Sequence, residues 1–271
     1  MPSTVPTTRP TRPTRPTRSA RTAAAAAAVP LLLAGLLVGG CTRAAPPAPV
    51  MDTPPRPASG PGAGGAVEAA PAAAIPGIGG RTRDLIPEGA TQAVVVTGED
   101  RRSPFSTVVL YEWTAATGWQ AVSDSWPAHN GLKGWTDEHW AGDKRSPIGV
   151  FGLTDSGGRL PDPGTRLPYH RSSLFNAPGR GFLGEPLAGS FDYVVAINYN
   201  RHEGASPLED GVVQRPMGSE RGGGVWFHVD HGGPTQACVS LGQEHMRELL
   251  RWLDPDREPV VVMGDLDALA R

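Results

Sequence analysis

Cysteine is nearly absent from this chain, whose 271 residues contain only Cys41 and Cys238. If Cys41 is modified or removed during export, Cys238 has no intrachain partner, and a lone thiol in an oxidising compartment asks for a reason. A buried hydrophobic cysteine and an intermolecular disulfide are the plain explanations; a reactive thiol is the other. Charge excess is missing too. Lys and Arg number 25 against 27 Asp and Glu, a net charge of -2, so no overall basic field argues for nucleic acid as a partner. A spanning apolar run is also lacking: Ala23 to Val38 is interrupted by Pro30 and Gly35 and is shorter than the roughly 20 residues that comfortably cross a bilayer. No regular alternation of strands with helices is present, which argues against a parallel α/β sheet.

What precedes the folded part reads as targeting. Arg9, Arg12, Arg15, Arg18 and Arg21 stand in an acid-free opening, the apolar stretch follows, and Gly39, Gly40 and Cys41 close it. That is the order of an export signal. The stretch LLVGGC is similar to the bacterial lipoprotein cleavage box, with Val38 where leucine is commonest. It implies a lipid on Cys41 and a location at the cytoplasmic membrane, facing the cell wall; secretion and an uncut signal anchor are the alternatives. Residues 42–80 are mostly Ala, Pro and Gly, too poor in large apolar groups to offset the entropy of ordering, and read as a flexible tether. The expected division is therefore 1–41 export segment, 42–80 tether and 81–271 folded domain, with order beginning near Thr82 to Ala90.

The folded part is expected to be mainly β. Gln92 to Val96, Thr107 to Trp113, Trp119 to Val122, Gly149 to Leu153, Tyr193 to Tyr199, Gly224 to Val229 and Pro259 to Met263 carry strand signals, being rich in β-branched and aromatic residues between turn residues. One helix is convincing, Leu241 to Leu253, with Met246, Leu249, Leu250 and Leu253 on a common face. Ser240 and Gln243 fit a capping box, and Asp254-Pro255 supplies a stop. Two excursions rich in Gly, Pro, Ser and Arg, Asp155 to Phe191 and Arg201 to Gly223, are expected to build substrate-binding walls.

Chemistry concentrates in WFHVDHGGPTQACVSLG, which holds His228, Asp230, His231 and Cys238. With the helix cap at Ser240, helix N-terminal amides would face the sulfur and favour a thiolate. A cysteine nucleophile also needs an imidazole within reach. His228 and His231 would point to opposite faces of a strand unless the chain turns at Asp230; His228 is favoured because it ends an apolar run on the sheet, and His231 is the secondary candidate. The two histidines, Asp230 and Cys238 are also competent zinc ligands, although HxxH with one cysteine matches no strong signature.

On these residues the chain resembles the L,D-transpeptidase catalytic domain, the YkuD or ErfK/YbiS family of bacterial cell-wall enzymes. His228 matches the family's strand histidine, and Thr235, Cys238 and Val239 match its Ser/Thr-x-Gly-Cys-Ile/Val signature. AHNGLKG around Asn130, Gly131 and Gly134, and GDKRSPIGVFGL from Gly142 to Leu153, are similar to its upstream blocks. The resemblance covers roughly Gln92 to Gly264. It departs at Ala237 (family glycine), Gln236 (often histidine) and Ser240 (commonly arginine or asparagine). Were φ positive at Ala237, its Cβ would cost roughly 1 kcal/mol.

The resemblance implies a β-sandwich or barrel-like domain with a helix after the cysteine, and no cofactor. Its substrates would be peptidoglycan stem tetrapeptides: Cys238 forms a thioester at the third-position diamino acid, D-alanine leaves, and a neighbouring stem amine completes a crosslink. Water as acceptor would instead trim the stem, and a catalytically impaired wall-binding module is the non-enzymatic alternative. His228 would be the acid/base, oriented by the backbone carbonyl of Val229, with the Ala237 backbone in the oxyanion region. Thr235, Gln236, Ser240 and Tyr199 are the substrate-binding candidates, and Tyr169 belongs with Tyr199 in the expected walls.

Overall fold

A computed structural model describes residues 73–209 and 215–271. The export segment, Cys41 and residues 42–72 of the expected tether lie outside the described residues. The strands run in chain order as β1 (Gln92–Gly98), β2 (Phe105–Thr114), β3 (Gly118–Ala121), β4 (Trp126–His129) and β5 (Trp135–Thr136). Then come β6 (Ser146–Pro147), β7 (Gly149–Gly152), β8 (Ser156–Gly158) and β9 (Tyr169–Arg171). The last four are β10 (Val194–Ala196), β11 (Trp226–Val229), β12 (Val239–Leu241) and β13 (Val260–Asp265). Helices are few: α1 (Gly80–Arg83), α2 (Gln243–Trp252) and α3 (Leu266–Leu269). No helix among the described residues is long and apolar enough to cross a membrane.

One curled, mainly β sheet dominates, in the order β7-β13-β1-β2-β4-β12-β11-β10-β8-β9, with β3 added to β2 and β5-β6 a separate pair. Strand periodicity explains how the sheet is held. Along β1, Val94 and Val96 enter the main core with Val108, Leu110, Phe227 and Met263, while Ala93 and Val95 turn to a second cluster with Ile75, Ile78, Val260 and Val262. Alternate residues thus bury opposite faces. Helix α2 covers the main core with Met246, Leu249 and Leu250, all fully buried, each side chain contributing about 1.5–3 kcal/mol relative to exposure.

Packing begins ahead of the expected start. Ile75 and Ile78 are buried, Gly79 N–H donates to the Leu269 carbonyl, and Thr82 N–H donates to the carbonyl of Arg271. Two isoleucines in an Ala/Pro/Gly background and these backbone hydrogen bonds dock the segment.

The strand β12 replaces what the sequence suggested was the approach to a helix. Val239 and Leu241 pair in parallel with Phe227 and Val229 on one side, and Ser240 and Leu241 pair antiparallel with His129 and Ala128 on the other. Two ladders therefore satisfy this backbone, and α2 begins only at Gln243, capped by Gly242 without a side-chain hydrogen bond. Ser240 does not cap the helix; its hydroxyl is turned to Asp230.

Candidate active site

Strands β11 and β12 are parallel neighbours joined only by residues 230–238. A parallel return brings the chain back to the level where β11 began, so Cys238, just before Val239, falls beside Trp226. Trp226 N–H donates to Cys238 Sγ at 3.4 Å, and the thiol reaches the Gly224 carbonyl at 3.6 Å. Two residues further along β11, His228 lies on the same face as Trp226. Register, not sequence proximity, brings the histidine and the thiol to one cavity of about 200 Å³.

Two hydroxyls clamp the peptides on either side of Cys238. Ser146 is fully buried; its Oγ accepts from Gly131 N–H at 2.9 Å and donates to the Ala237 carbonyl at 2.8 Å. Thr235 Oγ1 donates to the Cys238 carbonyl at 2.6 Å. Because the peptide unit is planar, fixing the Ala237 carbonyl also fixes the Cys238 N–H. The turn is pinned again where Thr235 N–H donates to the Asn130 carbonyl and Leu132 N–H to the Thr235 carbonyl. Among the described non-glycine residues φ is positive only at Lys144, Asn200 and Glu258. Ala237 therefore has an ordinary backbone and carries no strain.

The electrostatics differ from those of a helix-activated thiolate. With β12 interposed, no helix terminus follows Cys238 directly, and burial pushes the thiol up to about 11, against the Trp226 N–H that favours its anion. The residue is nonetheless only half-buried, its open side facing the cavity. His228 is 4% exposed; burial lowers it to about 4, outweighing the hydrogen bond to the Val229 carbonyl. That bond, at 2.9 Å from Nδ1, also fixes the tautomer, since a carbonyl can only accept. The proton sits on Nδ1, leaving Nε2 as an acceptor. Phe191 packs edge-on against the ring at 5.5 Å. Thiol and neutral imidazole at rest suit proton transfer during attack rather than a preformed ion pair.

The neighbouring histidine shares the cavity. Chain direction changes after Val229, and His231 stacks on His228 with centroids 5.8 Å apart and planes within 11°. Its Nδ1 donates to Glu185 Oε1 at 3.0 Å. Asp230 serves neither: its carboxylate accepts from His129 Nδ1 at 2.8 Å, Ser240 Oγ at 2.7 Å and Gly232 N–H at 3.1 Å. Partial burial opposes the Asp230 charge, but the His129 and Ser240 hydrogen bonds hold it down at about 2. The hydrogen bond to Asp230 in turn raises His129 above its ordinary value, against partial burial. Among the described residues no group of three or more His, Cys, Asp or Glu is arranged to hold a metal ion.

Of the substrate-binding candidates, Thr235 and Gln236 line the cavity. Ser240 does not; it is fully buried on β12. Tyr199 is not there either, being 6% exposed with its hydroxyl donated to the Arg221 carbonyl. Tyr169 packs against the core and donates to the Leu160 carbonyl. The wall comes from elsewhere in the first excursion. Residues 179–187 form a hairpin, with Gly181 N–H on the Glu185 carbonyl and Leu187 N–H on the Gly179 carbonyl, and it presents Arg180, Phe182 and Leu187 to the cavity beside Phe191. Its latch is the Glu185–His231 pair. Two glycines make room for that carboxylate, since a Cβ on Gly181 or Gly233 would lie 1.9 or 2.3 Å from Glu185 Oε1.

Sequence reasoning missed Ser146, His129, Glu185 and Arg180. The first two stood in blocks already singled out, SPIG and AHNG; the other two had no local pattern to announce them.

Comparison with curated proteins returns no significant match. The family model for the L,D-transpeptidase catalytic domain, YkuD, matches residues 91–262, a span that includes the Cys238 turn, both upstream blocks and the hairpin wall. With more than half of the sequence matched and a mainly β, half-barrel fold of the same kind, the chain belongs to the YkuD family of L,D-transpeptidase catalytic domains.

Proposed function

We propose that the protein, a YkuD-type peptidoglycan-modifying enzyme by family, is a cysteine-dependent L,D-transpeptidase that crosslinks stem tetrapeptides through a thioester on Cys238. The observation that supports this most is the neutral, buried His228, held as its Nδ1–H tautomer by Val229 in the cavity that Cys238 lines. In the first half-reaction Nε2 takes the thiol proton as Sγ attacks the third-residue carbonyl. The S–C bond forms, the C–N bond to D-alanine breaks, and the proton passes to the leaving amine. In the second, an amine from a neighbouring stem gives a proton to His228 and attacks the thioester, so that a C–N bond replaces the C–S bond and the thiol is restored. The Cys238 N–H, oriented through the Ser146 clamp, is a candidate donor to the oxyanion of both intermediates. Thr235 and Gln236 border the acyl group, and His231 plays a secondary part through Glu185.

Purified protein incubated with a defined disaccharide tetrapeptide, followed by mass analysis, tests this. Crosslinked dimers with release of D-alanine are expected. Tripeptide without dimers would make the enzyme a carboxypeptidase, and unchanged substrate retained by the protein would make it a wall-binding module. Export and a lipid on Cys41 complete the reading; metabolic labelling with a lipid precursor should mark wild type and not Cys41→Ala.

A further inference from the structure

The cavity wall carries one permanent charge. Among the described residues lining it, Arg180 is the only Lys, Arg, Asp or Glu. Its guanidinium has no carboxylate partner within salt-bridge distance among the described residues; one nitrogen, Nη1, donates to the Gly184 carbonyl across the hairpin turn. That leaves Nε and Nη2 for a ligand, the arrangement in which a guanidinium grips a carboxylate with two parallel hydrogen bonds. Nearby charges are already engaged. Glu185 is taken by His231 and by Leu183 N–H, and the Lys144 ammonium lies over the Phe182 ring at 5.2 Å.

The hairpin that carries Arg180 is braced at both ends of its tip, by the Glu185–His231 pair and by Phe182 under Lys144. Its backbone is set by the bridge between Arg180 and Pro186. The guanidinium is thus presented from a fixed support beside a surface made of Phe182, Leu187 and Phe191, where a carboxylate can make charge-assisted hydrogen bonds to it.

We propose that Arg180 is a specificity-determining residue that binds a substrate carboxylate within one or two residues of the carbonyl attacked by Cys238, so that the site selects acyl donors ending in a free acid. This rests on the reading of Cys238 as an acyl-accepting nucleophile. A donor ending in D-alanine carries such a group on the residue that leaves, so the Arg180 contact would be made before the C–N bond breaks and lost with the departing product. The same cation offers nothing to an incoming amine, which places its influence in the first half-reaction.

Binding and chemistry are tested separately. The full chain as Cys238→Ala is titrated with a synthetic stem tetrapeptide as the free acid and as its C-terminal carboxamide, and again with Arg180→Gln or Arg180→Lys added. The free acid is expected to bind about tenfold more tightly than the carboxamide, a preference removed by Arg180→Gln and partly kept by Arg180→Lys. Because Arg180 is exposed, an unchanged thermal midpoint in both variants establishes that the fold is intact. Equal binding of acid and amide, a preference that survives Arg180→Gln, or no measurable binding of either peptide overturns the proposal. With Cys238 present, intact-protein mass of wild type and Arg180→Gln after exposure to the free acid reports on the nucleophile separately: an adduct that forms equally in both removes the carboxylate contact and leaves the nucleophile standing. Selective binding without any adduct does the reverse.

Discussion

Replacing Ser146 by Ala removes one hydroxyl that serves two buried backbone groups, the Gly131 N–H and the Ala237 carbonyl. A buried donor or acceptor left without a partner costs about 1–3 kcal/mol, and Ser146 is fully buried, so water is poorly placed to substitute. The two losses together predict a destabilisation of about 2–6 kcal/mol, a large share of the 5–15 kcal/mol that is ordinary for a domain. Activity should fall beyond what stability explains, because the Ala237 carbonyl and the Cys238 N–H belong to one planar unit. A misdirected oxyanion donor costs about 3 kcal/mol, or roughly 10²-fold in acylation. Urea unfolding gives the first quantity and acyl-enzyme formation under conditions where the variant remains folded gives the second. Ser146→Thr, which keeps the hydroxyl, should recover much of both. A loss below about 0.5 kcal/mol with unaltered acylation would refute the clamp.

His228→Ala should slow acylation by about 10²- to 10⁴-fold in a protein that still unfolds cooperatively, whereas His231→Ala should retain substantial activity; both are read by single-turnover kinetics on a stem peptide. Ala237→Gly should leave acylation nearly unchanged, since φ there is not positive, and lower stability by about 0.5–1 kcal/mol through the added freedom of the unfolded chain. With the thiol at about 11, alkylation by iodoacetamide without substrate should be slow at neutral pH and keep rising into the alkaline range; a plateau near pH 7 would instead indicate a preformed thiolate. The His129–Asp230 pair gives a stability window. Asp230, lowered from 3.8 to about 2, contributes above its unfolded pKa and is lost as pH falls through about 2, while His129, raised from 6.5, contributes fully below 6.5 and is lost as pH rises through its folded value. Thermal midpoints of wild type minus His129→Asn should therefore be greatest between about pH 4 and 6.5 and shrink on either side.

Much of the fold could be read because two neighbouring strands, β1 and β13, bury both faces. Gln92 to Val96 and Pro259 to Met263 are nearly continuous apolar runs, and they are neighbours in the sheet. The register of β12 could not be read in the same way. Val239-Ser240-Leu241 alternates as a strand does, but it abuts a strongly amphipathic helix and a serine that fits a cap, and only the two flanking strands decide in favour of sheet. Misplacing those residues misplaced the electrostatics of Cys238: burial, not a helix terminus, governs the sulfur. His228 and Cys238 stand out by residue type and Thr235 by its place in the same motif, and all three line one cavity. Tyr199 stands next to a long excursion, which suggests a wall, but its ring belongs to the core. Arg180 and Glu185 lie in a Gly- and Pro-rich excursion with no periodicity, where only the hairpin's hydrogen bonds bring them to the cavity.

The most direct test of the central claim is intact-protein mass spectrometry of the full chain after brief exposure to a stem tetrapeptide, for wild type and Cys238→Ala side by side. The account predicts an adduct on wild type equal to the peptide less its D-alanine, mapped to Cys238 and cleared when an amine acceptor is added, with no adduct on Cys238→Ala. Release of D-alanine at undiminished rate by Cys238→Ala would contradict it.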